Sequence, residues 1–230
     1  MRVDKAEVLR YLGHKGQEFS ADLMQIVEDS IGQIHQVAKP KSVYRIFDID
    51  VQEAAVRVLG TSLLLPGQDI VNHLRGSSKC ALMAATLGVG VDQQIRVLEV
   101  GQMTKAVILD ACATAAIEAV CDEVQAEIQQ LARQEHLGIT FRYSPGYGDS
   151  PITLQRDLLN VLGTYGTIGL TCTETHILTP RKSVTAIIGL ETPNLANNPS
   201  KESTAPNRGC DKCSKFASCM YRREGMSCVD

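Results

Sequence analysis

The segment 102–136 restricts the fold more than any other feature of this chain, because it reads as one long uninterrupted helix. Ile117, Val120, Val124, Ile128 and Leu131 form an apolar stripe at i, i+3, i+7 spacing, so this helix has a face that must be buried. Its middle, ACATAAIEAVC (111–121), is built almost entirely of small or apolar residues, and Glu118 is its one charge. The flanking alanines let other backbone come close. A half-buried carboxylate there needs a partner, and Arg142 is a candidate; a surface-edge glutamate is the alternative that spacing leaves open.

The elements around it follow from periodicity and breakers. Residues 5–12 and 20–38 read as helices; in the second, Leu23, Ile26, Val27, Ile34 and Val37 recur at helical spacing, Ser20 sits where an N-cap belongs and Pro40 follows the end. Strands are expected at 41–48 and 54–65, a short helix from Pro66 to Leu74, a buried strand at 80–90 and a helix at 91–98. Beyond the long helix, a helix at 151–162 precedes strands at 167–173 and 183–190. Strands early, helices in the middle and strands late predict an α+β fold with a largely antiparallel sheet.

Arg142-Tyr143-Ser144-Pro145-Gly146-Tyr147-Gly148-Asp149-Ser150-Pro151 gathers two tyrosines, two glycines and an arginine between two helices. Pro145-Gly146 favours a tight turn, because proline pre-sets φ and glycine accepts positive φ. The glycines let a ligand lie against backbone amides. Arg142 offers a planar fork of donors suited to a carboxylate. Ser150-Pro151 reads as N-cap and first residue of the next helix. An ordinary surface loop is the bland reading; a site for a small anionic or zwitterionic ligand accounts for more of the residues.

R-x-x-P-G-Y before a helix, followed by IGLTCTETHILTPRKSV (168–184), resembles the activation domain of cobalamin-dependent methionine synthase. That family carries an R-x-x-x-G-Y motif and a later L-T-E-S-x-x-M-x-P-x-x-S-V run, matched here by Thr173-Glu174-Thr175, Pro180 and Ser183-Val184. The resemblance implies a curved sheet with surrounding helices. It also implies S-adenosylmethionine bound by Arg142 at its carboxylate and Glu118 at its amino group. Ser144 and Gly146 would cradle the ligand, and Tyr147 would line the adenosyl pocket or face the corrin. The implied role is that of a free-standing activation subunit, which uses the S-adenosylmethionine methyl group for reductive methylation of cob(II)alamin. No segment of the chain matches the family's cobalamin-binding module, so a partner would carry the cobalamin: methionine synthase or another corrinoid protein. A flavodoxin or ferredoxin would be the electron donor. Where the family continues G-Y-P-A-C-P, this chain has Gly146-Tyr147-Gly148-Asp149-Ser150-Pro151, and the family's N-terminal aspartate-containing ligand segment has no counterpart.

Cysteine usage divides the chain. Cys80, Cys112, Cys121 and Cys172 sit among apolar neighbours and read as small core residues. Residues 1–190 form the main domain. The stretch 191–209 is rich in proline, asparagine and serine and reads as a linker. Residues 210–230 form a cysteine-rich tail with too few apolar residues for a core. Cys210, Cys213, Cys219 and Cys228 are expected to ligate zinc or an iron–sulfur cluster, since thiolates supply the folding energy that a core cannot.

A net charge of −3 argues against a broad nucleic-acid surface. No apolar run reaches the ~18 residues of a membrane span, and the first residues lack the apolar region of a secretion signal, so a cytoplasmic location is the expectation. Two other functions compete. A self-sufficient S-adenosylmethionine-dependent methyltransferase acting on a small molecule is disfavoured by the lack of G-x-G-x-x-G after a strand. A non-catalytic metal-knuckle interaction protein would use the tail and leave the loop merely structural.

Overall fold

The computed structural model describes residues 1–14, 16, 17 and 19–192. Seven helices and eight strands follow one another in the order α1 (Lys5–Tyr11), α2 (Ala21–Val37), β1 (Lys41–Val51), β2 (Ala55–Val58), β3 (Leu64–Pro66), α3 (Gln68–Leu74), β4 (Ser77–Thr86), α4 (Val89–Glu99), α5 (Met103–Gln134), β5 (Gly138–Ile139), α6 (Leu154–Leu162), α7 (Thr164–Ile168), β6 (Thr171–Cys172), β7 (Leu178–Thr179) and β8 (Ser183–Glu191) among the described residues. Six strands form one sheet in the order β3-β2-β1-β4-β8-β5, and every pairing in it is antiparallel. The fold is α+β, as the order of elements predicts.

Burial explains why β4 lies at the centre. Both faces of this strand are buried from Cys80 to Thr86, which is why its sequence runs CALMAAT without alternation. Ala81, Met83 and Ala85 face one core with α1, α2, α4 and α5, completed from β8 by Ala186, Ile188 and Leu190. Cys80, Leu82 and Ala84 face a second core with α3, α6, α7, β2 and β3. The sheet is therefore sandwiched between two helical layers, and α5 spans the first of them.

In α5 the alanines do the work that their size suggests: Ala113 and Ala116 are fully buried, and Ala106, Ala111 and Ala115 nearly so. The expected stripe holds through Ile117, Val120, Val124 and Ile128 but then passes to Ala132. Leu131 is exposed instead, because the buried row continues from Ile128 at i+4 rather than i+3. Ser20 caps α2 as expected, its hydroxyl accepting from the Leu23 N–H at 3.3 Å.

Four local expectations are corrected. The run 54–65 splits into β2 and β3, because Gly60-Thr61-Ser62 makes a turn; the Thr61 hydroxyl donates to the Val58 carbonyl at 2.8 Å and accepts from the Leu63 N–H at 3.0 Å. The strand expected at 80–90 starts at Ser77 and stops at Thr86, and Val89 and Gly90 already belong to α4. The strand expected at 167–173 begins in the last residues of α7, which is bracketed by Gly163 and Gly169, and only Thr171–Cys172 is strand. There the Thr164 hydroxyl donates to the Leu170 carbonyl at 2.8 Å and ties the turn down. Finally, α6 starts at Leu154 and Ser150 does not cap it: the Ser150 hydroxyl is buried with no hydrogen-bond partner, and its N–H closes the preceding loop onto Tyr147.

Because Ala116 has no room around it, Ala116→Leu should lower folding stability by roughly 1–3 kcal/mol, the usual cost of overpacking. Urea unfolding of the two proteins measures this; equal midpoints would show that α5 is loosely packed.

Candidate functional site

One extra residue on the outer edge of β8 builds the site. Ile139 lies opposite Leu190, but Tyr143 lies opposite Ile187, so four steps on one side match three on the other. This is a bulge, and its ladder is repaired by a side chain: the Gly189 N–H donates to the Thr140 hydroxyl at 2.8 Å, while the Thr140 N–H donates to the Gly189 carbonyl at 3.0 Å. Consecutive side chains then go to opposite layers. Tyr143 enters the second core, and Arg142 crosses to α5.

Arg142 meets a row of polar groups on α5. Its Nη2 donates to Glu118 Oε2 at 2.9 Å; its Nη1 donates to Asp122 Oδ1 at 2.7 Å and to Gln125 Oε1 at 3.3 Å. Glu118 and Asp122 are one helical turn apart, so they present two carboxylates to one guanidinium. Burial raises the Glu118 pKa above the ordinary carboxylate value, and the neighbouring Arg142 charge pulls it back only in part. Burial also works against the charge on Arg142, yet the Asp122 hydrogen bond and the surrounding negative charges raise its pKa overall. Two turns earlier the same row repeats the pattern: Lys182 Nζ lies 2.9 Å from Asp110 and donates to the Thr114 hydroxyl at 2.9 Å. The expected Arg142–Glu118 pair is present. Asp122 went unnoticed in the sequence, although its i+4 spacing from Glu118 was the signal that could have found it.

Pro145 and Gly146 turn the chain as expected. The Tyr147 N–H donates to the Ser144 carbonyl at 3.1 Å, with Gly146 at φ 92, the pattern of a type II turn. The Gly146 N–H donates to the Ser150 carbonyl at 3.1 Å, so that amide is committed inside the loop. The Tyr143 hydroxyl donates to the Tyr147 carbonyl at 2.8 Å, while the Tyr147 ring is exposed at the loop surface. Gly148 is required by packing: at φ 53, a Cβ there would lie 2.0 Å from an Asp69 carboxylate oxygen.

The loop is anchored to α3, which has no side-chain cap of its own. Asp149 supplies one, accepting from the backbone N–H of Gln68 at 2.6 Å and of Asp69 at 3.1 Å; Asp69 answers by accepting from the Asp149 N–H at 3.2 Å. At the other end of α3, His73 Nε2 lies 2.9 Å from the Thr140 hydroxyl, and its ring packs on Phe141 and Tyr143 at 4.5 and 5.2 Å between centroids. The two ends of α3 thus hold the bulge at Thr140 and the loop at Asp149.

The second motif forms the β6–β7 hairpin and the entry to β8. The Thr173 hydroxyl accepts from the Ile177 N–H at 3.1 Å, and the Ser183 hydroxyl donates toward the Pro180 carbonyl at 2.7 Å. Near it, a cavity of about 360 Å³ opens between α6, α7 and β6, lined in part by Arg156, Asn160, Tyr165 and Cys172; none of its walls belongs to the Arg142 cluster. Cys80, Cys112 and Cys121 are buried, and burial pushes each thiol up to about 12, which makes them core residues as expected; Cys172 is only half-buried. No group of three or more His, Cys, Asp or Glu among the described residues could hold a metal ion. The ligand set expected from Cys210, Cys213, Cys219 and Cys228 lies outside the described residues, as does nearly all of the expected linker. No helix among the described residues is long and apolar enough to cross a membrane.

No family model matches the sequence, and no curated relative matches it. Among solved structures, the chain is similar to a crystal structure of the MetH reactivation domain bound to AdoHcy, with a TM-score of 0.62 and 13% identity over 95% of this chain and 80% of the other. The fold is that of the MetH reactivation domain. Within this reactivation-domain fold, the Arg142 loop and the β6–β7 hairpin are the two places where the sequence motifs fall.

His73 gives the loop a pH signature. Burial lowers its pKa to about 4, and backbone hydrogen bonding at Ile187 and Phe141 offsets only part of that. A neutral folded histidine whose unfolded form protonates near 6.5 means that the unfolded state binds more protons between pH 6.5 and about 4. Stability should therefore be complete above pH 6.5 and fall as pH drops through this window, by about 3 kcal/mol at full extent. Unfolding measured from pH 7 to 4 should show a shallower loss for His73→Gln; matching slopes would mean that His73 titrates normally in the folded protein.

Proposed function

We propose that this chain is an activation subunit for a cobalamin-dependent methionine synthase, binding S-adenosylmethionine at the Arg142 cluster. The observation that carries this reading is one guanidinium held between two carboxylates, Glu118 and Asp122, beside a turn in a reactivation-domain fold. Such a donor set complements a zwitterionic amino acid, whose carboxylate needs paired N–H donors and whose ammonium needs carboxylates. The neighbour with this fold is described as bound to AdoHcy, the demethylated form of the same ligand.

In this reading Arg142 takes the ligand carboxylate and Glu118 the amino group. Gly146 and the backbone of Ser144 cradle the ligand, with Tyr147 lining the adenosyl pocket or facing the corrin. When bound, S-adenosylmethionine supplies an electrophilic methyl group on sulfur. The protein contributes positioning: fixing the amino-acid end at α5 orients the sulfonium toward a corrinoid presented by a partner protein. One electron from a flavodoxin or ferredoxin and one methyl group from the sulfonium convert cob(II)alamin to methylcobalamin, leaving S-adenosylhomocysteine. Coupling the reduction to methyl transfer makes it effectively irreversible.

Calorimetric titration with S-adenosylmethionine tests the reading. Wild type should bind, and Arg142→Ala should lose roughly 2–3 kcal/mol, the scale of a charge-assisted hydrogen-bond pair. Unchanged affinity in the variant would place the ligand elsewhere.

A further inference from the structure

The ion cluster on α5 is unbalanced. Two carboxylates, Glu118 and Asp122, share one guanidinium, so the cluster carries a surplus negative charge. Of the other cations, Arg10 donates to Glu7 at 2.8 and 3.1 Å and offsets the Glu118 charge only in small part, while Lys182 is paired with Asp110 at 2.9 Å. The two carboxylates also differ in how firmly they are held. The Glu118 side chain is 33% exposed and the Asp122 side chain 71%. A ligand carboxylate arriving at Arg142 therefore competes with Asp122 on Nη1 rather than with Glu118 on Nη2.

We propose that Asp122 is a specificity-determining residue that selects the cationic methyl donor over its neutral product. This rests on the reading that S-adenosylmethionine binds at Arg142. Displacement by a ligand carboxylate frees Asp122 but leaves it one helical turn from Glu118, where two carboxylates then face the rest of the ligand. S-adenosylmethionine carries an ammonium and a sulfonium against one carboxylate, a surplus positive charge that matches the surplus negative charge of the cluster. S-adenosylhomocysteine lacks the sulfonium charge and is net neutral, so it frees Asp122 without neutralising it. Charge matching in a partly buried site discriminates between ligands of nearly the same shape, and added salt weakens it.

Affinities of both ligands for wild type, Asp122→Asn and Asp122→Glu, measured by calorimetry at low salt, test the proposal. Asp122→Asn keeps a hydrogen-bond acceptor for Arg142 but removes the charge. The ratio of S-adenosylmethionine to S-adenosylhomocysteine affinity should fall about 3–10-fold in this variant, and Asp122→Glu should retain the wild-type ratio. If both ligands bind and the ratio is the same in all three proteins, charge selection by Asp122 is overturned while the binding site stands. If neither ligand binds wild type, the binding reading fails, and this proposal fails with it.

Discussion

A single extra residue between Thr140 and Tyr143 fixes the geometry of everything around it. Without that bulge, the segment 138–143 would continue as a regular edge strand on β8, and alternation would assign its side chains to different layers. With it, Tyr143 locks into the second core and Arg142 reaches α5 in the first. The bulge is costly in isolation, because a ladder N–H loses its backbone acceptor. The Thr140 hydroxyl offsets that cost by accepting from Gly189, and His73 holds the hydroxyl from behind. The geometry of this region thus depends on polar contacts between elements far apart in the chain.

The long helix supplies the opposite surface. Its apolar face is crowded with alanine, which brings the helix close to β4 and β8. Its flank carries Asp110, Thr114, Glu118 and Asp122 at four-residue intervals, where Lys182, just before β8, and Arg142, beside the middle of β8, meet it. Close packing and charge pairing are linked: a bulkier helix face would move the carboxylates away from the guanidinium. The cations come from segments bordering one strand, so the register of β8 sets the spacing of both ion pairs.

The layered α+β architecture was legible in the sequence because hydrophobic periodicity is strong in α2, α5 and β4. Glu118 was legible for a different reason: a lone charge in a field of alanines demands a partner, and Arg142 was the arginine beside a turn. Asp122 was not, because it lies toward the charged end of α5 and resembles an ordinary surface residue. The cap that Asp149 provides for α3, and the brace from His73 to Thr140, join residues remote in sequence; no local pattern reports them. Boundaries failed where small polar residues interrupted apolar runs. Gly60-Thr61-Ser62 turned what reads as one strand into two, and Thr164 drew the following residues into a helical turn.

A crystal structure of the protein with S-adenosylmethionine tests binding at Arg142 most directly. The methionine carboxylate should lie on Arg142, the ammonium near Glu118, and Asp122 should be released from Nη1. A ligand seated instead in the cavity between α6, α7 and β6, with the Arg142 pairs unchanged, would contradict it.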